Sequence, residues 1–253
     1  MRRKYTSPLI IILAITTQFH PAIAQNSISN YLLKDSFENN LTLLKENYNM
    51  NKTIPPALET ECLTALQFYP ELKNVHIIFR FGNASTTMSS RPTVSSLIRN
   101  RKERTYIVTI NQNGASKLGL KWNELSFNEI VGCFGHELGH ILHYSQKTNG
   151  GIIWMGYKYS FARYKRKMER FTDQLAIDHN LGFALYDGTE YTLNCSKAKK
   201  SYKNKSRRFY LKRDEILDHT YTKETKVPNF RKTNSIKISH NGQPEIKADL
   251  RSA

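Results

Sequence analysis

Five consecutive residues, His136-Glu137-Leu138-Gly139-His140, place two imidazoles and a carboxylate within little more than one helical turn. Residues four apart in a helix lie on one face, so both histidines can point at a single ion. Zinc accepts neutral histidine nitrogens at roughly 2.0–2.1 Å. Glu137 lies about 100° round the helix from His136, where it reaches a water on the metal without becoming a ligand. Zinc draws the pKa of such a water down towards about 7, and a glutamate beside it can take the proton as the water attacks a carbonyl. The bland alternative is two histidines on an ordinary helix. Chance places such a pattern in a chain of this composition with odds of roughly one in a hundred, and a third ligand decides the matter.

Glu169-Arg170-Phe171-Thr172-Asp173 supplies a candidate. Glu169 and Asp173 are four apart and share a face. A carboxylate from a separate helix completes a His-His-Glu set and leaves a fourth position for water or substrate. Asp173, one turn on, is placed to accept a hydrogen bond from the outer nitrogen of a ligand histidine, which fixes that ring's tautomer. The alternative is that both acids are solvated partners of Lys165, Arg166 and Arg170. His143 is a further possible donor, although a histidine one turn along is more often a hydrogen-bonded neighbour.

These residues need two helices. The first opens at Ser126, with Glu129 three positions on as a capping box, and runs to about Ser145. The second covers roughly Ser160 to Leu181 and stops at Gly182. Between them lies a loop with Gly150-Gly151 and the apolar patch Ile152-Ile153-Trp154-Met155, read as core in preference to a membrane or substrate contact. The face of the first helix around its histidines carries Gly132 and Gly139, and the facing stripe of the second carries Ala162, Thr172 and Ala176. Mid-helix glycine costs up to ~1 kcal/mol relative to alanine, so Gly132, Gly135 and Gly139 call for close helix approach.

Together the two motifs resemble the gluzincin metallopeptidases, and within them the HtpX-like and minigluzincin branches, whose second motif is usually E-x-x-A-D. Thr172 departs from that pattern. The resemblance covers about 60 residues, Ser126 to Gly182. It implies His136, His140 and Glu169 as zinc ligands, Glu137 as general base and Asp173 as the partner of a ligand histidine. It also implies a sheet before the zinc helix whose edge strand pairs with an extended substrate. Relatives stabilise the oxyanion with a His, Tyr or Arg downstream of the third ligand; His219, Tyr191 and Tyr210 all qualify.

The rest of the chain frames this core. Residues 1–24 have a positive start, a short apolar run from Pro8 to Ile15 and Ala22-Ile23-Ala24, the pattern of an export signal, which predicts a periplasmic or secreted protein. Strands are predicted at Val75–Phe81 and Thr105–Asn111, with helices after Pro55-Pro56 and over Leu41–Tyr48. A Ser/Thr-rich loop runs through Met88 and Arg91-Pro92. After Gly182 the chain turns basic from Lys197 to Arg208, with a short helix at Lys212–His219 and a polar, disordered tail over 222–253. Cys62, Cys133 and Cys195 form no C-x-x-C pair; export permits a Cys62–Cys195 disulfide, and Cys133 reads as a buried inert thiol. The expected fold is α+β, a mainly helical zincin-like domain over 25–221 with a small sheet packed on the two ligand helices.

The formal net charge of +17 favours anionic partners, and much of it lies in the last quarter. Three functions compete. The first is an exported zinc peptidase acting on a peptide or protein substrate. The second is a non-catalytic, zinc-braced protein whose basic C-terminal region binds an anionic surface. The third, nucleic-acid binding, is disfavoured by export. Glu137 argues for catalysis, since a structural zinc site has no need of a base beside an open position.

Overall fold

Two stretches rich in β-branched and aromatic residues form the middle of a four-stranded sheet in the computed structural model, which describes residues 32–112 and 120–226. The export signal read at 1–24 lies outside the described residues, as does the tail read over 222–253 except for 222–226, which are helical and not disordered. In chain order the strands are β1 (Lys52–Thr53), β2 (His76–Gly82), β3 (Met88–Pro92) and β4 (Thr105–Asn111); in space they lie β1-β2-β4-β3. β2 runs parallel to β1 and β4, and β3 runs antiparallel to β4 at one edge. β4 buries Tyr106, Ile107, Val108 and Ile110, the near-continuous apolar run of a strand covered on both faces.

The stretch read as a loop through Met88 and Arg91-Pro92 contains β3. Met-Ser-Ser-Arg-Pro has no β-branched residue and buries only Met88, so its pairing with β4 leaves little trace in composition. Pro92 is tolerated because it ends an edge strand.

Helices account for most of the fold. Short α1 (Lys34–Glu38) and α2 (Leu41–Tyr48) precede β1. α3 (Glu59–Gln67) is entered through a 3-10 turn at Pro56–Leu58 and buries Cys62, Leu63, Ala65 and Leu66. α4 (Phe127–Ser145) carries the first motif. Its start is the expected capping box: Ser126 N–H donates to Glu129 Oε2 at 2.7 Å and Glu129 N–H to Ser126 Oγ at 3.4 Å. From Ile130 to Leu142 every residue but Cys133 is buried, which makes α4 the central helix of the molecule. It packs against α3 and β3 and against two later helices, α6 (Ala162–Asp178) and α7 (Gly182–Glu190).

Arg104, just before β4, is fully buried and closes the far end of α4. Its guanidinium donates to the carbonyls of Tyr144 (3.2 Å) and Lys147 (2.8 Å) and to Asn149 Oδ1 (2.8 Å). A cation among the last carbonyls of a helix answers both their unmet acceptors and the negative end of the dipole.

The Gly150-Gly151 stretch belongs to a helix, α5 (Asn149–Tyr159), and not to a loop. Thr148 is its N-cap, accepting Gly151 N–H at 3.1 Å, so both glycines fall in the first turn, where they disturb least. α6 also ends earlier than read. Asn180, at φ 63, is its left-handed closing residue, with Leu181 N–H on Ala176 O (2.9 Å) and Asn180 N–H on Ile177 O (3.0 Å), a Schellman closure. Gly182 instead begins α7, where a Cβ would meet Thr220 Oγ1 at 2.1 Å.

A π-turn at Tyr191–Cys195 follows α7, then α8 (Lys200–Phe209) and α9 (Arg213–Lys226). α8 is the basic stretch that the sequence reading left without structure. α9 outruns the short helix expected to stop at His219, because Ile216 and Thr220 bury against the molecule. The architecture is α+β and mainly helical, as expected. The sheet leans on α4 through β3, and α6 packs on another side of α4, so α4 is the ligand helix that carries the sheet. Cys62, Cys133 and Cys195 are free thiols; Cys62 is buried and Cys195 exposed. Cys133 is half-buried, not fully buried as read; desolvation, helped by the charges of Glu137 and Glu129, pushes its thiol up to about 12, so it is protonated near neutrality.

Candidate metal centre

His136 and His140 sit one turn apart on α4, facing α6 across a narrow seam. A Cβ on Gly139 would lie 3.0 Å from Thr172 Cγ2 and 3.3 Å from Thr172 O, so this glycine sets how closely the two ligand helices approach. Gly132 serves a different neighbour: a Cβ there would meet Ala184 O at 2.2 Å, on α7 and not on α6 as the stripe argument expected.

Across the seam Glu169 Oε2 lies 3.2 Å from His136 Nε2 and 3.3 Å from His140 Nε2, and all three residues are buried. One ligand atom from each can be chosen so that all lie within 4.8 Å of one another. Bonds of roughly 2.0–2.1 Å at tetrahedral angles separate neighbouring ligand atoms by about 3.3 Å. The two histidine–carboxylate separations match that spacing, and the buried His-His-Glu group could hold a metal ion.

The outer nitrogens are committed elsewhere. His136 Nδ1–H donates to Asp173 Oδ1 at 2.8 Å. His140 Nδ1–H donates to Thr172 Oγ1 at 3.2 Å, and that hydroxyl passes its own hydrogen to Met168 O at 2.9 Å. Both arrangements leave Nε2 as the nitrogen facing Glu169. Thr172, a departure from the family pattern, thus has a task that alanine could not perform.

Burial alone would push the Glu169 carboxyl up. Hydrogen bonds from His136 and His140 overcome it and hold the carboxyl well below the usual carboxylate range. For His136 burial opposes the charged form, but the hydrogen bonds with Asp173 and Glu169 raise its pKa well above the ordinary value. Without a cation, the proton of an imidazolium compensates the buried carboxylates; a metal would displace it.

Two groups unread in the sequence complete the surroundings. Tyr159, at the end of α5, donates its hydroxyl to Glu169 Oε1, which leaves Oε2 to the histidines. Ser90, on β3, donates to Glu137 O at 3.1 Å and binds the edge strand to the metal-site helix. Neither stretch carries a sequence signal: Tyr159 falls in the presumed loop, and a serine on an edge strand reads as solvent-facing.

A cavity opens beside the cluster. His136, Glu137, Met88, Leu185, Lys205 and Tyr210 are among its walls. α8 forms one side, tied to the start of β3 by the Thr87 and Tyr202 hydroxyls at 3.2 Å. Of the three oxyanion candidates, the structure brings only Tyr210 to the site. Its ring lies 5.4 Å from that of His136, and burial, with Glu169's charge adding, raises its pKa well above the usual phenol value, so it stays a donor. Asp173 fixes it in place, since Oδ2 accepts Leu211 N–H at 2.8 Å. His219 is exposed and pairs with Gln174, and Tyr191 lies in the π-turn. His143 packs edge-on to Phe171 at 4.9 Å outside the cluster, and burial lowers its pKa to about 4.

Compared with protein-family models, with curated proteins and with solved structures, the chain matches none.

Proposed function

We propose that this chain is a zinc-dependent peptidase of the gluzincin type, acting in the periplasm or outside the cell after export. The observation that carries the reading is Glu137 on the wall of an open cavity, one residue from a ligand of a buried His-His-Glu cluster. His136, His140 and Glu169 would hold the ion, with Asp173 and Thr172 orienting the two imidazoles. Zinc so held would polarise a carbonyl and bring a water's pKa towards about 7.

Glu137 takes the proton of the attacking water and hands it to the leaving amine. Tyr210 donates its hydroxyl hydrogen to the oxygen on which charge develops. β3, the edge strand bound to α4 through Ser90, offers a backbone ladder for an extended substrate, the role in which the sequence reading placed an unnamed strand of this sheet. Thr105–Asn111, predicted as a strand from the sequence, is interior to the sheet. The cavity between β3 and α8 then receives a substrate side chain.

The test compares the parent with Glu137→Gln and His140→Ala, in zinc content by elemental analysis and in hydrolysis of a mixed-sequence fluorogenic peptide pool. The parent is expected to hold zinc near stoichiometry and to cleave. Glu137→Gln keeps zinc and fold but loses about 10²–10⁴-fold in rate. His140→Ala loses the metal. Zinc in the parent without hydrolysis would favour the second reading, in which the ion only braces the fold.

A further inference from the structure

The outer face of α5 is apolar where a surface helix should be polar. Ile152 and Met155 point inwards, while Ile153 and Trp154 are 64% and 55% exposed, and Tyr157 and Phe161 are 57% and 54% exposed. A helix apolar all round is ordinarily covered on all sides, and this one is covered only towards the protein among the described residues. The exposed rings form one continuous row that runs from α5 onto Phe161, the residue that caps α6: Trp154 stacks on Tyr157 at 5.3 Å, and Tyr157 meets Phe161 edge-on at 5.4 Å.

Cations border the row. Lys158 Nζ lies 4.9 Å from the Trp154 ring and 5.6 Å from that of Tyr164, so it sits between the two aromatics. Arg163 and Lys167 line the same shallow groove with Tyr164. Between Ser145 and Glu169 the chain carries six Lys or Arg and no Asp or Glu. This charge complements an anionic surface and would repel a basic one.

We propose that this face docks on a bilayer containing anionic phospholipid, α5 lying in the plane of the interface. Trp and Tyr settle at the depth of the headgroups, with ring bodies among the acyl chains and polar atoms in the wet zone. Lys and Arg extend their charged ends from an apolar stem to the phosphates. An acidic protein partner would satisfy the charge but gives no reason for a wide aromatic row rimmed by flexible cations. No described helix is long and apolar enough to cross a membrane, so this attachment is peripheral.

The chain has two tryptophans, so replacing Trp122 with Phe makes Trp154 the sole indole reporter. The full chain is titrated with vesicles of phosphatidylglycerol and phosphatidylcholine in equal parts, and with phosphatidylcholine alone. Trp154 emission is expected to shift to the blue and become shielded from an aqueous quencher on the anionic vesicles only. Lys158→Gln/Arg163→Gln/Lys167→Gln should lower partitioning on the order of a hundredfold, and Trp154→Ala/Phe161→Ala at least about tenfold. Unchanged circular dichroism keeps either loss from meaning misfolding. Co-sedimentation with vesicles and an unmoved Trp154 would overturn the proposal, placing contact on another basic or apolar segment. So would a blue shift that follows protein concentration without lipid, or polyglutamate without lipid, which would make the occupant a second copy or an acidic polypeptide.

Discussion

At the scale of single residues, two carboxylates and two imidazoles buried together need each hydrogen and lone pair assigned to a partner. Asp173, Thr172 and Tyr159 make those assignments, one for each of His136, His140 and Glu169. Thr172 is the informative one, because its hydroxyl both accepts from His140 and donates to Met168 O. Thr172→Val keeps the shape and removes the acceptor. The His140 ring is then free to turn or to place its proton on Nε2, and metal affinity should fall about 10–100-fold, read by competition with a chromophoric chelator. Thr172→Ser should restore most of it. An unchanged affinity in the valine variant would mean that packing alone orients the ring.

At the scale of elements, the site depends on how α4 is gripped by its neighbours. Gly132 lets α7 approach until a methyl would stand 2.2 Å from Ala184 O. Gly132→Ala favours the helix by up to ~1 kcal/mol but forces the two helices apart, and a net loss of about 2 kcal/mol is expected in urea unfolding. A gain would show that α7 can shift freely. α6 and α9 are joined by Arg170, whose guanidinium grips Glu215 with two hydrogen bonds of 2.9 Å. That pair holds the Glu215 carboxyl down at about 2, from an ordinary value of 4.5. A depressed carboxylate contributes stability that is present above its unfolded pKa and lost as the pH falls through the folded one. Being partly exposed, the pair contributes about 1 kcal/mol. Glu215→Gln should therefore lower Tm at pH 6, and the gap to the parent should close between pH 4.5 and about 2.

For the whole molecule, a buried His-His-Glu cluster at the junction of α4 and α6 would make metal binding a stabiliser of the fold. An ion at about a thousand times its dissociation constant adds about 4 kcal/mol, which in a domain of this size raises Tm by about 10 °C. Scanning calorimetry of the parent, stripped by chelator and then reloaded with zinc, should show that rise, and His140→Ala should not. An equal rise in the variant would place the binding elsewhere, for example at exposed histidines. The molecule also has two faces of unlike character: the cleft between β3 and α8, and the aromatic row of α5 with its rim of cations.

Much of the centre is legible in the sequence because its signals are local. A capping box spans four residues, a helical pair of side chains on one face five, and each is written in contiguous sequence at Ser126–Glu129, His136–His140 and Glu169–Asp173. The mainly helical α+β class followed from the same short-range periodicities, and β4 fell on the residues expected. What stayed hidden depends on partners distant along the chain. β3 is a strand only because β4 lies beside it, and its serines look like those of any loop. α5 was concealed by two glycines that a threonine cap makes harmless. Asn180, not Gly182, ends α6, because Gly182 is needed where Thr220 comes against it. Tyr210 is singled out from three equal candidates only by its ring lying against His136, with the next residue, Leu211, anchored on Asp173. Side-chain types and their spacing along a helix are properties of the sequence; which distant hydroxyl, carbonyl or methyl meets them is decided by the path of the chain, and the tertiary structure alone records it.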